Sequence, residues 1–431
     1  MNKGKVNLLL ILSGLLVWMA YSCQQAIESK VKPRIIVSTD IGGTDPDDFQ
    51  SMIHLLMYAD LFQIEGLVST SFKTGTTRDI LDMIALYEKD LDKLRKYAPD
   101  LPDPNDLRAV CKQGAKTGAP YKGYQTPTAG SDWIIKCAKK NSEQPLWVLV
   151  WGGIEDVAQA LHDAPEIEKN IRVYWIGGPN KKWGPNAYAY IVENHPNLWM
   201  IESNATYRGW FLDDESPKDI TNKGYFENHI KGRGSMGVDF QKRYGGHIKM
   251  GDTPSLAYLM NGDPDDPTTE SWGGEYVPIR HSSRSIFEYN TTTADTVKAY
   301  GIQEWRFKGP EISIPEDSSC FTITIAGQLW PGYYLGNGLY GVRYSSKRPE
   351  TGSYVTASSI PELDGQKGQY VSIAPWPGEK DEDDYKLGNN WYGDRPEPEL
   401  FFGIQQGART ISKHRAAFLM DWAKRWEWLK Q

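Results

Sequence analysis

From Arg34 to about Leu259, short uninterrupted apolar runs alternate with stretches whose apolar residues recur at helical spacing. The runs Arg34–Thr39, Ile64–Thr70, Leu146–Trp151, Arg172–Ile176 and Leu198–Glu202 predict strands buried on both faces. The stretches Asp48–Ala59, Arg78–Tyr97, Ser131–Lys140, Glu155–His162 and Ala187–Asn194 predict the helices between them. Such alternation implies an α/β fold, a Rossmann-like and mostly parallel sheet covered on both faces. Ligands then bind in the loops at the C-terminal ends of the strands.

After Gly262 the pattern changes. Turn formers crowd "GDPDDPTTESWGGEY", and strand-like stretches such as Phe321–Ala326 and Tyr340–Tyr344 follow without a long helix. This part reads as a β-rich C-terminal module or a large insertion. The closing stretch from Ser412 repeats Phe418, Leu419, Trp422, Trp426 and Leu429 at helical spacing, which predicts a helix packing back on the α/β part. The expected boundaries are 34–275 for the α/β domain, 276–405 for the β-rich part and 406–431 for the final helix.

The amino terminus stands apart from this pattern. Lys3 and Lys5 precede the apolar run Val6–Ala20, and small residues lead to Cys23. A charged start, an apolar stretch and a cleavage zone read as an export signal over 1–22. "AYSC" resembles a bacterial lipobox, which implies lipid on Cys23, a tether over 23–33 and a place in the periplasm or outer membrane. The other cysteines are Cys111, Cys137 and Cys320; Cys111 and Cys137 are a candidate pair. No CxxC or HExxH motif suggests zinc. The net charge of −7 gives no electrostatic case for a nucleic-acid partner. The chain carries 16 Trp and 24 Tyr, which serve either as core or as flat faces for sugar rings.

The chemistry concentrates in "STDIGGTDPDD", Ser38–Asp48, directly after the first predicted strand. Asp47 and Asp48 open a helix, where acids gain from its dipole. Asp40 ends the strand and cannot serve that helix. Gly42 and Gly43 allow the chain to fold back so that Asp40 faces Asp48. Converging carboxylates suit calcium, which takes six to eight oxygen ligands.

"DIGGTDPDD" resembles the aspartate cluster of nucleoside hydrolases. "IEGLVSTS", "WVLVWGGIEDVAQAL", "VYWIGGP" and "GDTPSLAYL" follow in the order of that family's landmarks. "GDTPS", "WGGEY" and "RAAFLMDWAKRWEWL" are similar to the secreted branch of the superfamily described as cellulose-binding. The resemblance implies a nucleoside-hydrolase-like sheet and a Ca2+ site built from Asp40, Asp48, Asp252 and the main-chain carbonyl of Glu155. It also implies hydrolysis of a glycosidic C–O or C–N bond by metal-activated water, with Asp40 as general base. Asp47 is expected at substrate hydroxyls. Glu193 and Asn194 fall where acidic and amide ligands of the family lie, and equally fit a helix end. Asn204 follows a strand end, a good ligand position.

This sequence departs from the family at several points. Thr44, Asp45 and Pro46 look inserted, which leaves Asp45 as ligand, turn former or neither. The Asn-rich ribose segment after Gly-Gly is not recognisable, and the Asn of the second strand's loop is replaced within "STSFKT". The metal half of the site is thus retained and the ribose half is not. The expectation is an exported calcium-dependent glycosyl hydrolase acting on a carbohydrate or nucleoside-like molecule. The competing reading is a carbohydrate-binding protein without turnover.

Overall fold

The computed structural model describes residues 31–70, 75–375 and 380–430. The predicted signal, Cys23 and part of the "STSFKT" loop lie outside the described residues. Six parallel strands form the body of the main sheet: β1 (Arg34–Thr39), β2 (Gln63–Ser69), β3 (Cys111–Gln113), β4 (Leu146–Val150), β5 (Ile171–Ile176) and β6 (Trp199–Ser203). β1 sits between β2 and β4, with Arg34 opposite both Gln63 and Leu146. Every residue of β1 is buried, as the unbroken "RIIV" run requires.

The helices that carry the argument are α1 (Asp47–Met57), α2 (Thr77–Leu94), α3 (Ala129–Ala138), α4 (Glu155–Asp163), α5 (Gly178–Trp183), α6 (Pro185–Asn194), α7 (Thr253–Met260) and α8 (Arg415–Glu427). Capping boxes start α2 at Thr76 and α3 at Thr128. No helix among the described residues is long and apolar enough to cross a membrane.

Two further strands complete the sheet. β7 (Tyr276–Pro278) and β18 (Trp391–Asp394) pair with each other, and β18 runs parallel to β6. The sheet order is β3-β2-β1-β4-β5-β6-β18-β7. The β-rich part is therefore an insertion between two neighbouring strands of the main sheet. It comprises β8 (His281–Ser282), β9 (Arg284–Phe287), β10 (Thr296–Ala299), β11 (Ile302–Lys308), β12 (Ser319–Ile325), β13 (Gln328–Gly336), β14 (Leu339–Tyr344), β15 (Glu350–Ala357), β16 (Lys367–Pro375) and β17 (Tyr385–Lys386). β8 pairs with β17. The others form an eight-stranded sheet, order β10-β16-β15-β12-β13-β14-β11-β9, curled until Cα atoms of its edge strands come within 8 Å. Trp305, Ile323, Tyr340, Tyr354 and Tyr370 fill its core.

The insertion is fastened to the α/β part by polar contacts. The Arg343 guanidinium donates to the Tyr121 carbonyl at 2.7 Å, and the Lys122 N–H donates to Asp317 at 2.9 Å. At the other end, Asp394 of β18 accepts the N–H groups of Asn204, Ala205 and Thr206 at 3.2, 2.7 and 3.3 Å. A carboxylate from beyond the insertion thus holds the turn after β6.

The final helix α8 buries Phe418, Leu419, Trp422 and Trp426, with ring contacts to α1 and the segment 206–240. His54 of α1 lies among Tyr58, Trp210 and Trp422, with ring centroids 4.7, 5.8 and 5.2 Å away. Cys111 and Cys137 are free thiols, which corrects their expected pairing. Cys111 donates to the Leu107 carbonyl, and Cys137 faces the Glu65 carbonyl.

Trp422→Ala removes a fully buried indole from this junction. It is expected to cost about 3–5 kcal/mol of stability, read as a lower midpoint in urea with an unchanged slope.

Candidate active site

β1 ends at Thr39, and the chain turns at once. The Gly43 N–H donates to the Asp40 carbonyl at 2.9 Å, and Gly42 adopts φ +83°, a backbone region that favours glycine. The chain then enters α1 with Asp47 and Asp48 in its first turn. α7 brings Asp252 from the opposite side, at its N-cap. Carboxylate oxygens of Asp47, Asp48 and Asp252 all lie within 4.8 Å of one another. Asp40 stands beside Asp48, close enough that the two carboxyls affect each other's ionisation.

The supports are local. Thr39 Oγ1 donates to Asp48 and accepts the Ile41 N–H at 3.1 Å. Ser51 Oγ donates to Asp252 at 3.4 Å. Ser255 Oγ donates to the Asp252 carbonyl at 2.7 Å and accepts from Trp151 Nε1 at 2.8 Å. Lys249 pairs with Asp45, which is exposed, and its Nζ lies 3.8 Å from Asp47. Gly152, just after β4, comes so close to Asp40 that an added Cβ would stand 2.6 Å from its side chain. Only glycine fits there without moving Asp40.

Burial dominates the electrostatics. It pushes the Asp40 carboxyl up to about 6 and Asp47 up to about 7, with the charge of Asp45 adding to both. Burial and then the neighbouring aspartates hold Asp48 and Asp252 well above the usual carboxylate range. An all-oxygen donor set of crowded carboxylates fits a hard divalent cation, whose charge would reverse these shifts.

The remaining predicted residues fall in three places. Glu155 opens α4, and its buried side chain sits in a small pocket with Asp40, Thr70, Asn180 and Trp183. Its carboxyl is pushed up to about 7 by burial. Asn204 lies at the strand-end row after β6, where its Nδ2 donates to Glu202 at 3.1 Å. Glu193 and Asn194 are not gathered to the aspartates. Both are exposed at the end of α6, and Glu193 faces Arg284 at 3.2 Å.

Several neighbours were not foreseen. Asn180 Nδ2 donates to the Trp151 and Ile176 carbonyls at 3.0 and 2.9 Å, tying the ends of β4 and β5 together. Lys181 and Glu202 form a fully buried ion pair, and Tyr188 donates to Glu202 at 2.8 Å. In sequence, "NKKWG" carries no cue that its first lysine is buried.

Residues 34–276 match the family model described as cellulose-binding Sde182, nucleoside hydrolase-like domain. That match spans more than half of the chain, and the chain belongs to that family. Residues 296–359 match a domain of unknown function, DUF5060. Among solved structures, the chain is similar to a nucleoside hydrolase-related hypothetical protein from Saccharophagus degradans associated with carbohydrate metabolism. Identity is 18%, with 80% of this chain and 100% of that one covered and a TM-score of 0.49. It is also similar to an inosine-uridine preferring nucleoside hydrolase from Bacillus anthracis, at 13% identity, 80% and 95% coverage and a TM-score of 0.39. A purine-preferring ribonucleoside hydrolase from Gardnerella vaginalis shares 14% identity, with 57% and 83% coverage and a TM-score of 0.35. No curated protein matches the chain.

Raised above the unfolded value of 3.8, these carboxylates favour the fold when protonated. Their contribution to the stability of the metal-free protein is therefore fully present below about 3.8 and is lost as pH rises through about 6 and about 7. Chelator-stripped Asp48→Asn is expected to melt above the stripped parent at neutral and alkaline pH, with the gap shrinking in acid and closing only below about 3.8. Added calcium should raise the melting temperature of the parent and leave the variant unmoved.

Proposed function

We propose that this chain is an exported, calcium-dependent glycosyl hydrolase that cleaves a C–O or C–N glycosidic bond of a glycan-derived or nucleoside-like substrate. The observation that carries this reading is the convergence of Asp47, Asp48 and Asp252 beside Asp40 at the strand ends. A bound calcium ion would supply the charge that lowers the pKa of a water molecule. Asp48 and Asp252 would hold it, with Asp47 or Asp40 and the Glu155 carbonyl as further oxygen donors. Asp40 accepts the proton of the attacking water on a carboxylate oxygen. The Gly152 backbone lies against the Asp40 side chain, and the Asp40–Gly43 turn fixes the Asp40 main chain. The water oxygen bonds to the anomeric carbon, and the leaving group departs with the electron pair of the broken bond.

Export and lipid attachment at Cys23 rest on the charged, apolar and small-residue order of the first 23 residues. Cys23→Ala should release the protein from the membrane fraction; retention there would count against a lipid anchor.

The second reading, carbohydrate binding without turnover, is favoured by one observation. The pocket directly at Asp40 has a volume of about 10 Å³, room for one water and no sugar. A panel of nucleosides, aryl glycosides and oligosaccharides separates the two. The hydrolase reading expects sugar release that chelation abolishes and that Asp40→Asn lowers by about 10²–10⁴-fold. Binding without release at high protein concentration would leave the binding reading standing.

A further inference from the structure

A cleft of about 840 Å³ opens where the α/β part meets the inserted β-sheet. Thr117, Gly118 and Trp183 line it from one side, and Leu329, Trp330 and Arg343 from the other. Thr117, Gly118 and Trp183 also line the small pocket that holds Asp40 and Glu155. The cleft thus abuts the small pocket at Asp40 across these three residues, and about half of its lining comes from the insertion.

Its aromatic wall is built across the junction. The rings of Trp183 and Trp330 pack with centroids 5.2 Å apart at 32°. Lys182 lies behind them, its Nζ 5.2 and 5.7 Å from the two centroids, and it donates to Gln328 of β13. This buried ammonium bolts α5 to the insertion and fixes both rings. Polar atoms beside the wall are left over. Asn186 is 7% exposed, and its Nδ2 is spent on the Ala119 carbonyl at 3.0 Å. Its Oδ1 and Trp330 Nε1 are both buried and have no hydrogen-bond partner. Leu329 is 69% exposed at the rim, and among the described residues no carboxylate lines the cleft.

These features select a ligand class. Sugar rings offer an apolar face to an indole and hydroxyls to the polar side chains beside it, here Lys116, Thr117 and Gln328. A nucleobase held between two rings needs them roughly 7 Å apart, twice the carbon–carbon contact distance. Trp183 and Trp330 touch each other instead, so they form one wall and not a slot. The volume is at the upper end of the roughly 300–1,000 Å³ that hold a drug-sized ligand of several rings.

We propose that this cleft binds the flanking sugars of an oligosaccharide chain whose reacting bond lies at its Asp40 end, which makes the insertion a wall of the active site. The proposal rests on the glycosyl reading of the acidic site and adds to it the substrate class and the residues that hold it.

The test is calorimetric titration of the calcium-loaded full chain with soluble neutral oligosaccharides (cello- and xylo-series) and acidic ones (oligogalacturonates), each from two to six sugars. Neutral and acidic arms separate the two sources of such a chain, with exposed Lys116 at the rim suited to the acidic one. Affinity is expected to rise with chain length in one series. Leu329→Asp, at an exposed position, and Trp330→Ala should each weaken binding by at least about tenfold. Leu329→Asp should leave melting temperature and calcium affinity unchanged, so its result stands even where Trp330→Ala disturbs the fold. Affinity independent of length, or untouched by Leu329→Asp, would overturn the proposal. Turnover of aryl glycosides or nucleosides without binding of any oligosaccharide would overturn the cleft assignment alone and leave the hydrolase standing. Cleft-dependent binding without any turnover would support the cleft and overturn the hydrolase.

Discussion

Crowded negative charge is the constraint on which the rest of this molecule depends. Two carboxylates 4.8 Å apart repel by roughly 3 kcal/mol at the effective dielectric of a protein surface, and Asp47, Asp48 and Asp252 form three such pairs. Burial raises the cost of ionising each of them further. A fold keeps such a cluster only where rigid elements impose it. Here β1 supplies Thr39 and Asp40, the first turn of α1 supplies Asp47 and Asp48 near positive dipole density, and α7 supplies Asp252. Thr39, Ser51 and Lys249 each relieve part of the charge, and none neutralises the cluster.

The insertion bears on the same end of the sheet. Its ends are anchored by β7 and β18, which pair side by side, so 112 or so residues of chain hang from one sheet edge and fold back over the strand ends. Trp330 meets Trp183 there, Arg343 reaches the Tyr121 carbonyl, and Asp394 gathers three N–H groups of the turn after β6. Sheet and insertion thus meet at the cleft lined by Trp183 and Trp330, where a separate appended domain would make no such wall.

Much of this was legible in the residues. Unbroken apolar runs such as "RIIV" and "LWVLV" announce strands buried on both faces, and glycines with aspartates directly behind the first run announce a ligand loop. β7 and β18 were not legible, because three or four residues such as "WYGD" have no periodicity and their partner lies more than a hundred residues away. Asp47 was expected at substrate hydroxyls, and the trio that the structure brings together includes it. Side-chain direction within one turn of a helix decides that, and spacing alone leaves it open. Glu155 entered through its main chain, yet its side chain occupies the pocket beside Asp40. Nothing in the sequence marks Lys181 and Lys182 as buried, because Glu202 and Trp330, which meet them, come from distant strands.

The central claim is that the acidic cluster is a cation site. Calorimetric titration of calcium into the chelator-stripped protein, beside Asp48→Asn and Asp252→Asn, tests it most directly. The account predicts binding at about one site per chain, lost in both variants. No heat of binding in the parent, or the same isotherm in the parent and both variants, would contradict it.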